Sequence, residues 1–268
     1  MLRKTSLAAA AALSVLSAAP ALAHFQLIYT PEVNLAAPPV EVKLIFWHPL
    51  SFGHVMDMGM PEQFFYVHNG ERTDLLSTLQ PITFTGGGNS AAAFQADLLL
   101  RTAGDYILSL VPAPYYEEAE DIYIQQVTKM YLNRGGLPTD WDQPVGLPTE
   151  IVPLEKPTNI LVGSTFTGRL LSNGEPVPNA TLEVEYIAAP PDMATNTATA
   201  PTAAEPPGGT INVVTDVNGY FTFGIPRSGF WGFAALGVGP ETEYMGKHLS
   251  QDAVIWVYAY DFGGAPGA

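Results

Sequence analysis

The carboxy-terminal half of the chain is built of short alternating segments cut by turn residues, and few folds accept that pattern. TFTGRLLSNGEPVPNATLEVEY (165–186) reads strand, turn, strand. GGTINVVTDVNGYFTFGIPRSGFWGFAAL (208–236) adds three strands around two turns, and DAVIWVYAYDF (252–262) closes the set. Asn218-Gly219 is a strong hairpin signal, because two-residue loops of the right twist need positive φ at their centre. With 25 Gly, 24 Pro and 11% aromatic residues, the whole chain reads as mostly β.

The first half follows the same rule. Candidate strands are His24–Tyr29, Val40–Trp47, Gln63–His68, Ala93–Leu99 and Asp105–Val111, with TGGGN (85–89) and RTAGD (101–105) as turns. EVKLIFW and GDYILSLV alternate only in part, as expected where one sheet face is buried. DIYIQQVTKMYLN (121–133) is read as a strand from its β-branched and aromatic content, and the Pro-punctuated stretch 135–157 as an extended connection. The expected fold class is therefore all-β. An N-terminal antiparallel β-sandwich-like domain with its connection (24–150) is followed by a second β-sandwich (151–268). The Ala/Pro/Thr-rich stretch 188–209 is expected to be a flexible hairpin insertion unable to pack a core.

The first 23 residues read as a secretory signal peptide. Arg3 and Lys4 precede an Ala-rich apolar run, and Ala21-Leu22-Ala23 is a cleavage signal. No later segment is apolar for long enough to span a bilayer. Cleavage after Ala23 is expected to make His24 the first residue and to leave nine Lys and Arg against 26 Asp and Glu. A chain this acidic repels phosphate backbones, which argues against nucleic acid as a partner. With no cysteine in an exported chain, stability must come from the core, and a metal site would need imidazole, carboxylate, thioether or backbone donors.

Four of the five histidines, His24, His48, His54 and His68, lie in the first domain, with Met56, Met58, Met60 and Asp57 among them. His48 ends a predicted strand, and His54 lies on the loop that follows. A strand end and its loop can set both imidazoles around one ion, while a strand starting at His24 can bring its α-amine and Nδ1 to the same rim. Nitrogen-rich sets of this kind suit Ni(II) or Cu(II). Every donor must be unprotonated, so affinity should fall as pH drops through roughly 8 to 6. Plainer readings stand beside this one. A terminal histidine can be a by-product of cleavage, the alternating methionines can be one buried strand face, and His68 and His248 can be polar strand-end and loop residues. No G-x-S-x-G, H-E-x-x-H or P-loop pattern occurs, and the acidic run YYEEAED (115–121) reads as a solvated edge, so no enzymatic activity is expected.

Two resemblances go further. Gly168, Gly174, Pro176, Val177, Ala180, Thr215, Asp216, Gly219 and Phe221 match the pattern of the transthyretin-like or carboxypeptidase-regulatory-like sandwich, which bears on fold and scarcely on function. FWHP (46–49), GH (53–54), PTEIVPLEKP (148–157), PRSGFWGFAAL (226–236) and SQDAVIWVYA (250–259) resemble a family of periplasmic accessory proteins of energy-coupling-factor-type nickel or cobalt importers. That resemblance implies a periplasmic protein binding Ni²⁺, or Co²⁺ or Cu²⁺, through His24, His48 and His54, with membrane subunits of a transporter as partners. Where the family pattern has an acidic residue after HP, this chain has LSFG and no carboxylate until Asp57, which implies a more nitrogen-rich site. Two other readings are an adhesin or carbohydrate-binding module with incidental histidines, and a copper-dependent oxidase using an N-terminal histidine.

Overall fold

A computed structural model of the protein describes residues 24–263, so the leader expected at 1–23 lies outside the described residues. Ten strands form the first half: Phe25–Tyr29 (β1), Asn34–Leu35 (β2), Val40–Trp47 (β3), Gln63–His68 (β4) and Glu71–Asp74 (β5), then Gln80–Gly86 (β6), Asn89–Leu98 (β7), Gly104–Val111 (β8), Tyr115–Glu117 (β9) and Ile122–Arg134 (β10). Thr149–Pro153 (β11), Ile160–Leu161 (β12), Thr165–Ser172 (β13), Glu175–Pro176 (β14), Thr181–Tyr186 (β15) and Pro191–Asp192 (β16) follow. The last are Thr197–Ala198 (β17), Ile211–Val214 (β18), Tyr220–Gly224 (β19), Gly229–Ala235 (β20), Glu243–Tyr244 (β21) and Lys247–Tyr260 (β22). Among the described residues the only helical element is a single 3₁₀ turn, Leu76–Thr78, and no helix is long and apolar enough to cross a membrane.

The protein is all-β, and its two sandwiches share a sheet. The central sheet runs β18-β15-β20-β22-β10-β8-β4-β5, and its middle joint is the parallel pairing of β10 with β22, from Tyr123↔Leu249 to Met130↔Trp256. One face is covered by a sheet of order β1-β3-β7-β6-β17-β16, the other by β11, β13, β14 and β19. Side chains along the shared strands alternate between the two cores. Val254 and Trp256 of β22, Ala234 of β20 and Met130 of β10 pack towards β1 and β3. Ala253, Ile255, Val257, Phe233 and Tyr131 pack towards Ile151, Phe166 and Phe221.

A sheet buried on both faces explains why AVIWVYA and GDYILSLV are nearly continuous in apolar residues, where burial of one face would require cleaner alternation. It also means that the boundary expected between 150 and 151 is not a gap between bodies. It falls inside β11, and β10 of the first half is hydrogen-bonded through Tyr123–Met130 to β22 of the second.

The motif residues of the second sandwich have direct steric roles. Gly168 is the cross-strand partner of Phe221, and a Cβ at Gly168 would lie 2.7 Å from the Phe221 ring. Gly219 sits at φ +80 in a tight turn, and a Cβ there would approach the Leu170 carbonyl to 2.8 Å. The hairpin expected at Asn218-Gly219 is not formed: the turn carries the chain from β18, paired with β15 in the central sheet, to β19, paired with β13 in the covering sheet.

The insertion 188–209 departs from expectation. Ala188 and Ala189 are fully buried, and β16 and β17 form a small hairpin docked on β6, with Thr85 donating from its backbone to the Asn196 carbonyl at 2.9 Å. The buried Lys43 ammonium reaches the Asn196 side chain and pairs with Glu41 at 2.8 Å. The hairpin itself was expected, but low complexity hid its docking, because its order comes from sheet extension and one capped ammonium, neither of which needs large apolar side chains. Beyond Ala198 the stretch to 209 is irregular and largely exposed, as expected.

Candidate functional site

His24 immediately precedes β1, and His48 immediately follows β3. The antiparallel register Phe25↔Trp47 and Gln26↔Phe46 therefore sets His24 opposite His48 at the end of the ladder, with Phe46 on the adjacent diagonal. Their rings lie 4.5 Å apart between centroids and inclined by 49°, and His24 also contacts Phe46 at 5.5 Å and Tyr115 at 6.2 Å. β9 brings in a carboxylate: His24 Nε2 is 3.5 Å from Glu117 Oε2, while the other Glu117 oxygen accepts from the Ala119 amide at 3.0 Å.

Burial decides the charge state of this pair. His48 is 6% exposed, and its Nε2 is buried with no hydrogen-bond partner. Burial, and secondarily the charge of His24, push the His48 pKa down to about 3, so the ring is neutral at physiological pH. Burial also lowers the His24 pKa, against the opposing pull of Glu117. A neutral His48 whose Nε2 has no hydrogen-bond partner, beside the ring of His24, is chemically suited to accept a metal ion, since the proton does not compete for His48 at neutral pH.

The third predicted ligand behaves differently. The backbone turns between His48 and Gly53, whose amide bonds the His48 carbonyl at 3.2 Å, and Trp47 Nε1 locks the turn through the Gly53 carbonyl at 2.8 Å. His54, next in sequence, is exposed. Among the described residues no three His, Asp or Glu side chains are arranged to hold an ion, so His54 does not complete a set with His24 and His48 in this arrangement. Met56 and Met58 are core residues, 5% and 7% exposed, and Met58 Sδ accepts from Gln26 Nε2 at 3.4 Å. Met60 is exposed. His68 stacks on Tyr106 at 4.1 Å, with Nδ1 2.7 Å from the Asp105 carbonyl, well apart in the fold on β4. His248 is an exposed strand residue paired with Glu243.

Two sets of carboxylates escaped the sequence reading. Glu117 looked like part of a solvated run, yet the period of two in Tyr115-Tyr116-Glu117 puts it on the same side as Tyr115, facing His24. Glu183 and Glu185 alternate with Leu182 and Val184 on β15, so the leucine and valine enter one core and the glutamates point to the opposite face. There Glu185 accepts from the Leu50 amide at 2.7 Å, and a small pocket is lined by His48, Ser51, Glu183, Glu185 and Glu205. Burial raises Glu185 to about 8, helped by Glu183 and Glu205 and opposed by the Leu50 hydrogen bond. Burial and Asp252 raise Glu183 to about 7.

No curated protein matches the chain at a significant level. Among solved structures, the D0–D1 domain of intimin is 12% identical over 84% of this chain and 93% of its own, at a TM-score of 0.21. The dimeric latent PorU of Porphyromonas gingivalis is 11% identical over 88% of this chain at a TM-score of 0.21, and this chain spans only 20% of its length. Likenesses this distant carry no argument about function. The family model described as Domain of unknown function (DUF4198) matches residues 21–239, most of the sequence. The chain belongs to that DUF4198 family.

Proposed function

We propose that the mature chain is an exported, periplasmic protein that binds Ni²⁺ or Co²⁺ at the start of β1 and supports its import through membrane transporter subunits, without catalysis. The observation that carries this reading is the cross-strand pair His24–His48, 4.5 Å apart, with the buried, unpartnered Nε2 of His48 beside it. Removal of residues 1–23 supplies a further donor, because the His24 α-amine exists only after cleavage. The α-amine and two imidazoles form the nitrogen-rich set that Ni(II) favours, and Glu117 is the carboxylate closest to hand. His54 joins only if the loop after Gly53 moves towards the ion.

The test is a titration of the cleaved protein with Ni²⁺ beside a form carrying one extra N-terminal residue. The extended form should bind at least tenfold more weakly, and so should His48→Ala. Equal nickel affinity in the cleaved and extended forms would remove the α-amine from the site. No binding at micromolar concentration by the cleaved form would end the reading. Release of oxidised oligosaccharides with copper and a reductant would mark a copper enzyme instead.

A further inference from the structure

The geometry points to Glu117 as a positioning residue and not a ligand: facing Nε2 of His24, it holds that imidazole as the Nε2–H tautomer and leaves Nδ1 to bind the ion together with the α-amine. The inference rests on the nickel reading above and assigns a role within that same site.

The contact is one-sided. His24 Nε2 lies 3.5 Å from Glu117 Oε2, and both side chains are largely shielded from water. A neutral imidazole carries a proton on one ring nitrogen and a lone pair on the other. An ionised carboxylate only accepts, so it favours the proton on the nitrogen it faces and disfavours a lone pair there. The lone pair is thereby left on Nδ1, the ring nitrogen close enough to its own α-carbon to chelate an ion with the α-amine. Metal-binding histidines commonly present their second ring N–H to a carboxylate in this way.

Three features hold the arrangement. Glu117 ends β9, which pairs with β10 through Ile122↔Glu117, and its other oxygen accepts from the Ala119 amide at 3.0 Å. The His24 ring is flanked by those of His48 at 4.5 Å, Phe46 at 5.5 Å and Tyr115 at 6.2 Å, which restrict its turning over. Among the described residues no three His, Asp or Glu side chains are arranged to hold an ion, so Glu117 is not placed as a third ligand.

The experiment uses the cleaved protein with ¹⁵N-labelled histidine. Long-range ¹H–¹⁵N correlation spectra of the metal-free protein identify the protonated ring nitrogen of His24, and a Ni²⁺ titration follows on the same samples. Wild type should carry the proton on Nε2. In Glu117→Gln the one remaining oxygen stays with the Ala119 amide and the NH₂ group turns to His24, so the tautomer should change to Nδ1–H and nickel binding should weaken about tenfold or more. Glu117→Leu, which neither accepts nor donates, should give a mixture of tautomers. Glu118→Gln, at an exposed neighbour, should change neither reading. Circular dichroism checks that each variant folds. An Nδ1–H wild type overturns the proposal, and so does a changed tautomer with unchanged nickel affinity. Weaker nickel binding with the tautomer unchanged makes Glu117 a direct ligand and also overturns it. Absence of nickel binding by wild type ends the uptake reading, while the tautomers of the metal-free proteins still decide what Glu117 does to His24.

Discussion

Replacing Gly232 by alanine should be among the most damaging single-methyl additions in the central sheet. Gly232 of β20 pairs with Trp256 of β22, and the indole lies across the glycine. A Cβ at 232 would sit 2.7 to 2.9 Å from three carbons of that ring, distances at which something must move. Trp256 is 1% exposed, touches Phe25 at 5.8 Å, and donates from Nε1 to the Gln26 carbonyl at 2.9 Å, so moving it disturbs β1 as well. Overpacking a core of this density costs about 1–3 kcal/mol. A buried carbonyl left without its donor adds about 1–3 kcal/mol. The expected loss is therefore about 2–6 kcal/mol, read as a lower urea midpoint by circular dichroism. Gly224→Ala is the control: Gly224 has ordinary φ, lies exposed on β19, and a Cβ added there would meet no atom within 4 Å, so it should be neutral within about 0.5 kcal/mol. Trp256→Leu in the Gly232→Ala background should show a favourable coupling of about 1 kcal/mol or more. If Gly232→Ala costs no more than Gly224→Ala, the glycine is not there to seat the indole.

Glu185 has a folded pKa of about 8 against 4.5 when unfolded, so its contribution is fully present below pH 4.5 and is lost as pH rises through 8. The full loss is about 5 kcal/mol at most, so Glu185→Gln should gain several kcal/mol relative to wild type between about pH 5 and pH 8.5 in urea titrations; a constant difference would contradict this. Lys129, 1% exposed, pairs with Glu150 at 2.8 Å, and Lys129→Met should cost about 3–5 kcal/mol by leaving a buried carboxylate, with Lys129→Met/Glu150→Gln recovering part of it in the same assay. Lys43→Met removes the ammonium that reaches Asn196, so limited proteolysis should cut near residues 192–198 faster than in wild type; an unchanged pattern would mean that the β6 contact alone holds the hairpin.

Much of the fold was legible because β signals are local. Turn glycines at positive φ, Gly219 among them, act within a few residues, and the strand reading of 121–133 rested on side-chain type alone. His24 and His48 were legible as a pair for a similar reason: they flank two strands that pair in register. Their partners were less so. Glu117 was masked by the charged run around it, and Glu183 and Glu185 by alternation with core residues, since a charge pattern does not say which face of a strand is covered.

Residue order alone was enough for the all-β class, the absence of thiol ligands, and the place of His24 directly after the expected cleavage signal. Long-range packing was needed to show that the two sandwiches share one sheet. It was needed also to dock 188–198, and to leave His54 exposed while sealing His48 against two glutamates. The difference is one of range. Strand propensity and turn chemistry are settled within a few residues. The β10–β22 pairing joins segments far apart in the chain, from Tyr123↔Leu249 onward, and the state of His48 depends on β15 and the loop before β18, which no local pattern brings to it.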